Sequence, residues 1–334
     1  MKQVNVAIID SGIQLNALCE SARNNTQNGY IINGGTVLSI AGIKRDRLED
    51  HNGHGTACAS VIHRIAPGAK LIPICILGQN GRCSSRQLIN ALELVKNFDV
   101  QIVNMSISSN DIKIRRRINK LVTELQEQGK ICVASQSNDR WISYPAELRK
   151  VLGVAGSPAV FSEEYLYDHD KKIQIVASGA AELMKYKLPR LCFFRGNSRA
   201  AAIISGILAN ALSTGDMSDS DDLEKYLLTN VCDRQKLFRK PDMESRDQLI
   251  YKEVYMCVKK LISREVIHVR IDQSGNLADI GTLDDYYRII HTLESDFSCN
   301  IFGKKIVYKR YFESVEYLSS LIEGLVDGEC SKGS

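Results

Sequence analysis

Val4-Asn5-Val6-Ala7-Ile8-Ile9-Asp10-Ser11-Gly12 is the stretch whose reading decides the fold. A mostly apolar, β-branched run ends without interruption in a carboxylate followed by a turn. Such a run, apolar on both faces, suits an interior strand of a parallel sheet. Further runs of the same kind stand at Lys70–Leu77, Ile102–Ile107, Lys130–Ala134 and Lys150–Ala155. Amphipathic, helix-period stretches intervene at Gly55–Ile65, Ser85–Asn97 and Ile112–Gly129. Asp111 reads as the N-cap of the last of these. Strand, helix, strand repetition predicts an α/β domain, a mostly parallel sheet flanked by helices. Ligand crevices in such sheets open beyond the carboxyl ends of the strands. Asp10 and Asn138 both fall just past a strand's carboxyl end.

The chain divides by composition. Residues 1–215 carry 26 Lys and Arg against 17 Asp and Glu, and the remainder carries 17 against 22. This change of sign predicts two domains with separate surfaces. The expected boundaries are a first domain over 1–231, closed by a helix at Asp221–Val231, and a charged linker over 232–248. A small all-α bundle over 249–334 follows, with helices at Tyr251–Ser263, Leu283–Phe297 and Phe312–Leu325. The overall charge of +4 over 334 residues is too small to imply nucleic acid as a partner, and Arg115-Arg116-Arg117 reads as a solvated helix face. Ten cysteines show neither a CxxC pair nor a metal spacing, so reduced thiols of a cytoplasmic protein are expected. No signal peptide is expected ahead of the first strand. The longest apolar stretch, Ala200–Leu212, is too short to cross a bilayer.

Two further motifs complete a chemistry with Asp10. Gly53-His54-Gly55-Thr56 offers a base, and Gly196-Asn197-Ser198-Arg199-Ala200-Ala201 offers a hydroxyl at a helix start. A serine hydroxyl is a poor nucleophile at neutral pH and needs a base in reach and a carboxylate to orient that base. Ser198, His54 and Asp10 are the candidates for these roles. His51 is the near rival of His54 but lacks the following Gly-Thr. Acyl transfer also needs donors for an oxyanion, and the Asn138 side chain with the Ser198 backbone N–H would supply them. Base catalysis by a His54 of ordinary pKa predicts activity falling below about pH 6.5.

The order Asp, His, Ser, with these neighbours, strongly resembles the subtilisin-like serine proteases over residues 4–231. Ile65-Ala66-Pro67-Gly68-Ala69-Lys70-Leu71, Ile102-Val103-Asn104-Met105-Ser106 and Tyr144-Pro145-Ala146 with Val151–Ala155 are similar to further landmarks of that family. The resemblance implies Asp10, His54 and Ser198 as the triad and Asn138 as the oxyanion residue. It also implies that substrate lies as an extended strand between two segments, here Leu77–Ser84 and Ser106–Ser109. The candidate substrate-binding residues are Leu77, Gly78, Ser106, Ile107, Ser108, Ser109 and Ser137. Ser108, Ser109 and Ser137 replace usual glycines, which should narrow or polarise the pocket. Asn197, Arg199 and Ala202 replace the usual Thr, Met and Pro, and Asn197 stands where it can donate near the oxyanion.

Family members often hold structural calcium, but no acidic ligand loop stands out, so no metal ligand is assigned and no cofactor is expected to be required. Residues 249–330 resemble an acyl carrier protein more weakly. Gly281-Thr282-Leu283 lacks the serine that takes phosphopantetheine, so no prosthetic group is expected. The expected function is an intracellular, site-selective serine endopeptidase that matures a precursor or leader peptide. The alternatives are a non-catalytic binding scaffold on the same fold, and a ligase using the same acyl-enzyme. The implied partners are a peptide or precursor substrate and a protein docked through the C-terminal domain, with no nucleic acid and no membrane.

Overall fold

A computed structural model describes residues 2–40, 50–109, 111–138, 142–187, 190–238, 243 and 245–330. In chain order the first elements are β1 (Asn5–Asp10), α1 (Glu20–Asn25), β2 (Gly29–Asn33), β3 (Thr36–Ile40), α2 (His54–Ile65), β4 (Lys70–Cys75), α3 (Ser85–Val95) and β5 (Ile102–Met105). Next come α4 (Arg115–Glu127), β6 (Ile131–Ser135), β7 (Leu152–Ser157), β8 (Leu166–Tyr167), β9 (Ile175–Ser178), β10 (Glu182–Lys187), β11 (Arg190–Phe194), α5 (Asn197–Thr214), α6 (Leu223–Thr229) and α7 (Arg234–Leu237). The rest are α8 (Gln248–Ser263), β12 (Arg270–Ile271), β13 (Leu277–Ala278), α9 (Leu283–Asp296), α10 (Ile301–Lys304) and α11 (Val315–Cys330).

One nine-stranded sheet runs in the order β3-β2-β4-β1-β5-β6-β7-β9-β8. Strands β2 to β9 within that order pair parallel, and antiparallel β3 and β8 close its two edges. β1 lies between β4 and β5, so the chain leaves the sheet in opposite directions on either side of it. That is the switch point at which an open α/β sheet forms its crevice. Alternation along β1 sends Ala7 and Ile9 into a core with Leu88, Leu92 and Val95 of α3 and Ile118, Leu121 and Leu125 of α4. The other face is covered by α2 and α5, which pack on each other, with α5 also crossing β5, β6, β7 and β9. α5 can bury so much of itself because it reads Ala200-Ala201-Ala202-Ile203-Ile204, all fully buried.

The five expected strands and four expected helices of this domain all form, the last as α6. The β2–β3 hairpin was not read from the sequence, although Asn33-Gly34-Gly35-Thr36 is a turn signature and Gly34 takes φ +60°. Asp111 accepts from the backbone of Lys113 and caps a short 3₁₀ turn ahead of α4.

By contacts the chain forms two compact units. The first is 1–180, 185–188 and 194–239, and the second is 181–184, 189–193 and 240–334. The division falls between 239 and 240, inside the stretch assigned as linker, of which 239–242 and 244 lie outside the described residues. The second unit is not one continuous segment, and this corrects the expected boundaries. Leu183 and Leu191 join a core of Val254, Val258, Ile289, Leu293, Leu318 and Ile322. The backbone N–H of Leu183 donates to Val307, and that of Lys309 to Ala181. The three expected helices are α8, α9 and α11, but the unit also holds the β12–β13 hairpin. Asp272 makes that turn by accepting from Ser274 and Asn276, with Gly275 at φ +79°. A purely helical bundle is corrected by this hairpin and by the residues of β10 and β11 that the unit includes.

Candidate active site

Asp10 is the last residue of β1 and is wholly buried. Its Oδ1 accepts from the backbone of Ser11 at 2.7 Å and from the Ser11 hydroxyl at 3.2 Å. Both carboxylate oxygens lie 2.9 Å from His54 Nδ1, which donates to them. Ser11 Oγ in turn accepts from the backbone N–H of Gly55 at 3.0 Å. A Cβ on Gly55 would stand 2.2 Å from the carbonyl oxygen of Gly12, so the base can reach the acid only past a glycine. His51, the rival base, is exposed.

His54 opens α2, and a carboxylate that sequence reading passed over holds that start in place. Asp50 is fully buried and accepts from the backbones of Asn52 (3.1 Å), Gly53 (2.5 Å) and Thr56 (2.8 Å) and from the Thr56 hydroxyl (2.7 Å). These bonds satisfy donors that a helix start leaves without partners. The available signal was an acid four residues ahead of His54, in Asp50-His51-Asn52-Gly53-His54.

Burial by itself would push the His54 pKa down. The charge and hydrogen bond of the Asp10 carboxylate act the other way, and the imidazole is held well above its ordinary 6.5. Cys58 sits behind the pair, its thiol 3.6 Å from Asp10 Oδ2 and 3.4 Å from Ser106 Oγ. Burial raises the Cys58 pKa, and the Asp10 charge adds to it, so this thiol stays protonated at neutral pH. The Phe194 and His54 rings stand nearly perpendicular, at a centroid distance of 5.5 Å.

Ser198 is the second residue of α5, two residues past Gly196 at φ +77°. Ser198, His54 and Asn138 line one cavity of about 380 Å³ at the carboxyl ends of the strands. Among the described residues no hydrogen bond joins His54 to Ser198, a separation common in sites awaiting substrate. Asn138 Oδ1 accepts from Asn197 Nδ2 at 3.0 Å. A larger cavity of about 530 Å³, lined by Lys130, Glu147 and Lys150, lies at the amino ends of β6 and β7; His169 and Ser220 also line it, but among the described residues no hydrogen bond joins them.

Of the substrate-binding candidates, Leu77, Ser106, Ile107, Ser108 and Ser137 line the cavity. Gly78 and Ser109 do not line it. The N–H of Gly78 donates to Arg82, and its carbonyl accepts from Gly81, closing a turn. Ser109 exchanges both backbone hydrogen bonds with Tyr144 at 2.8 Å, leaving none for a peptide. Gly81, Arg82 and Cys83 line the wall instead. Burial, with the Asp10 charge, pushes the Cys83 thiol up to about 11. The backbone N–H of Ser137 is taken by Ser143 Oγ at 2.9 Å.

Asp10, His54 and Cys58 bring an oxygen, a nitrogen and a sulfur within 4.8 Å of one another, and exposed Asp168, His169 and Asp170 make a similar group. An ion at the first group would compete for the Asp10–His54 hydrogen bonds. The described cysteines form no disulfide. No helix among the described residues is long and apolar enough to cross a membrane.

The chain is 28% identical to the major intracellular serine protease of Bacillus subtilis over 227 residues, 62% of this chain and 68% of that one. It is 25% identical to subtilisin BL of Lederbergia lenta over 217 residues, 62% of this chain and 75% of that one. The prenylagaramide maturation protease PagA shares the fold, with a TM-score of 0.52 at 20% identity over 70% of this chain and 89% of PagA. The sequence profile of the Subtilase family matches residues 1–248. With that match over most of its length, the chain belongs to the Subtilase family and is a subtilisin-like serine endopeptidase.

Proposed function

We propose that this endopeptidase works inside the cell, cutting a precursor or leader peptide at a selected site through an acyl-enzyme on Ser198. One observation carries the mechanism: Asp10 holds His54 Nδ1 with both oxygens at 2.9 Å beside a cavity shared by Ser198 and Asn138. In the proposed sequence His54 takes the Ser198 proton as the hydroxyl attacks the scissile carbonyl. Asp10 keeps the imidazole in the tautomer that can accept it, and stabilises the cation that forms. The Asn138 N–H₂ and the Ser198 backbone N–H hold the oxyanion. His54 then protonates the leaving amine, and water releases the acyl group by the same route in reverse.

Selectivity is supported by the pocket wall. Serines 106, 108 and 137 line it where a digestive enzyme would profit from open space, and Arg82 adds a cation. PagA is by name a maturation protease, and a corresponding role is proposed here. Cysteines that are free thiols among the described residues support a reducing compartment. For the second unit the proposal is an arm-less, carrier-like domain that aids folding or docking. The Thr282 hydroxyl nearest the expected attachment point is engaged in a capping box with Asp285.

Two measurements test this. A fluorophosphonate should label the protein, and Ser198→Ala should not be labelled. Cleavage of a diverse peptide mixture, read by mass spectrometry, should give one narrow sequence preference. Absence of labelling in folded protein would sink the catalytic reading, and broad cleavage the maturation role. A chain ending at residue 248 leaves Leu183 and Leu191 without the core they pack in, so it should fail to fold. Normal folding and cleavage by that chain would exclude a folding role.

A further inference from the structure

The residue before the candidate nucleophile fixes the direction of the candidate oxyanion donor. An amide side chain has two ends of nearly equal shape, so only its partners tell oxygen from nitrogen. For Asn197 the partners leave one answer. The backbone N–H of Gly156 can only donate, so the atom 2.7 Å from it is Asn197 Oδ1. The carbonyl of Gln136 can only accept, so the atom 2.8 Å from it is Asn197 Nδ2. The second hydrogen of Nδ2 meets Asn138 at 3.0 Å, and the atom there must be an acceptor, Asn138 Oδ1. The Asn138 N–H₂ is thereby turned to the other branch of its amide, on a residue that lines the cavity with Ser198.

We propose that Asn197 is a positioning residue, setting the Asn138 amide so that its N–H₂ and not its carbonyl is presented to the oxyanion. The proposal rests on the serine protease reading of this site. Both hydrogens and the oxygen of the Asn197 amide are already engaged, so it does not itself donate to substrate, which corrects the expectation from sequence. A threonine, with one hydroxyl, could not bridge β7, the strand end after β6 and Asn138 at once. Asn at this position ties the donor to the start of α5, so that nucleophile and donor move as one body.

The test measures the second-order rate of Ser198 labelling by a fluorophosphonate, a reaction through an anionic transition state, in the full-length protein. Asn138→Ala should slow labelling by about 10²–10³-fold, the size of effect measured for the corresponding Asn of subtilisin. Asn197→Asp should cost nearly as much. Its carboxylate would face Asn138 Oδ1 and turn the amide, bringing the carbonyl to the cavity. In the Asn138→Ala background Asn197→Asp should cost only the repulsion of its added charge, far less than it costs in the parent, because positioning has nothing left to act on. A merely structural Asn197 would instead multiply the two losses. Should Asn197→Asp fail a melting check, Asn197→Ala carries the same cycle, with a loss of about tenfold, the scale of one hydrogen bond. That loss should vanish in the Asn138→Ala background. Multiplying losses, or an Asn197→Asp rate within threefold of the unaltered protein, would overturn the proposal alone. No labelling of the unaltered protein, or labelling of Ser198→Ala, would overturn the catalytic reading beneath it.

Discussion

The two helix starts that carry the chemistry are built alike and finished differently. α2 and α5 each follow a glycine at positive φ, Gly53 at 90° and Gly196 at 77°. Each presents its reactive residue in the first turn, and each then buries most of its length. A helix start is a positive pole with unpaired N–H groups, suited to an anion. At α2 the protein fills that pole itself, with the Asp50 carboxylate on the N–H groups of Gly53 and Thr56. At α5, among the described residues, no side-chain oxygen accepts from the backbone N–H of Asn197 or Ser198, and the oxygen of Asn197 is turned aside to Gly156. The closed start holds a base still. The open one is left for a negative charge that exists only during reaction.

This contrast can be broken, most severely at α5. Ser198→Ala should lower turnover by about 10⁶-fold, as for the nucleophile of subtilisin itself. A residual rate within tenfold of the parent would show that the open start serves no acyl transfer. On the α2 side Asp10→Asn should cost about 10⁴-fold in turnover by favouring the wrong tautomer. Asp10 holds the His54 pKa up, so activity should fall with acid around a midpoint above 6.5, and Asp10→Asn should move that midpoint down. This corrects the pH 6.5 expected for an unperturbed histidine. The same pair contributes stability that is complete below pH 6.5 and is lost as pH rises through the raised folded-state value. Thermal melting against pH, with Asp10→Asn as reference, checks that sign.

Emptying the closed pole sharpens the comparison further. Asp50→Ala leaves buried donors of Gly53 and Thr56 without acceptors and should cost about 3 kcal/mol in urea unfolding. A loss below about 0.5 kcal/mol would mean the cap is dispensable. The smallest effect is expected behind the pair. Cys58→Ala removes a weak S–H contact to Asp10 and little volume, so it should change turnover by less than about tenfold. A larger fall would make the thiol a necessary part of the acid's setting.

Much of the first unit is legible along the chain because its signals are local. The run into Asp10, the Gly-His-Gly of α2 and the small-residue helix after Ser198 each state their own reason for being strand, turn or buried helix. The second unit was legible only in its helices, since the hairpin at Asp272–Asn276 depends on one side chain closing a turn. Leu183 and Leu191 could not be assigned to it from sequence, as their partners lie more than sixty residues on.

By itself, then, the sequence determined the order of strands and helices and which residue types end each motif, because periodicity and turn chemistry act over a few residues. Only the tertiary structure decided that Asp10 meets His54 across 44 positions, that Ser109 is spent on Tyr144, and that Asn197 turns Asn138. Those outcomes depend on which of several donors and acceptors wins a given partner, and that competition is settled by packing and register between segments far apart in the chain.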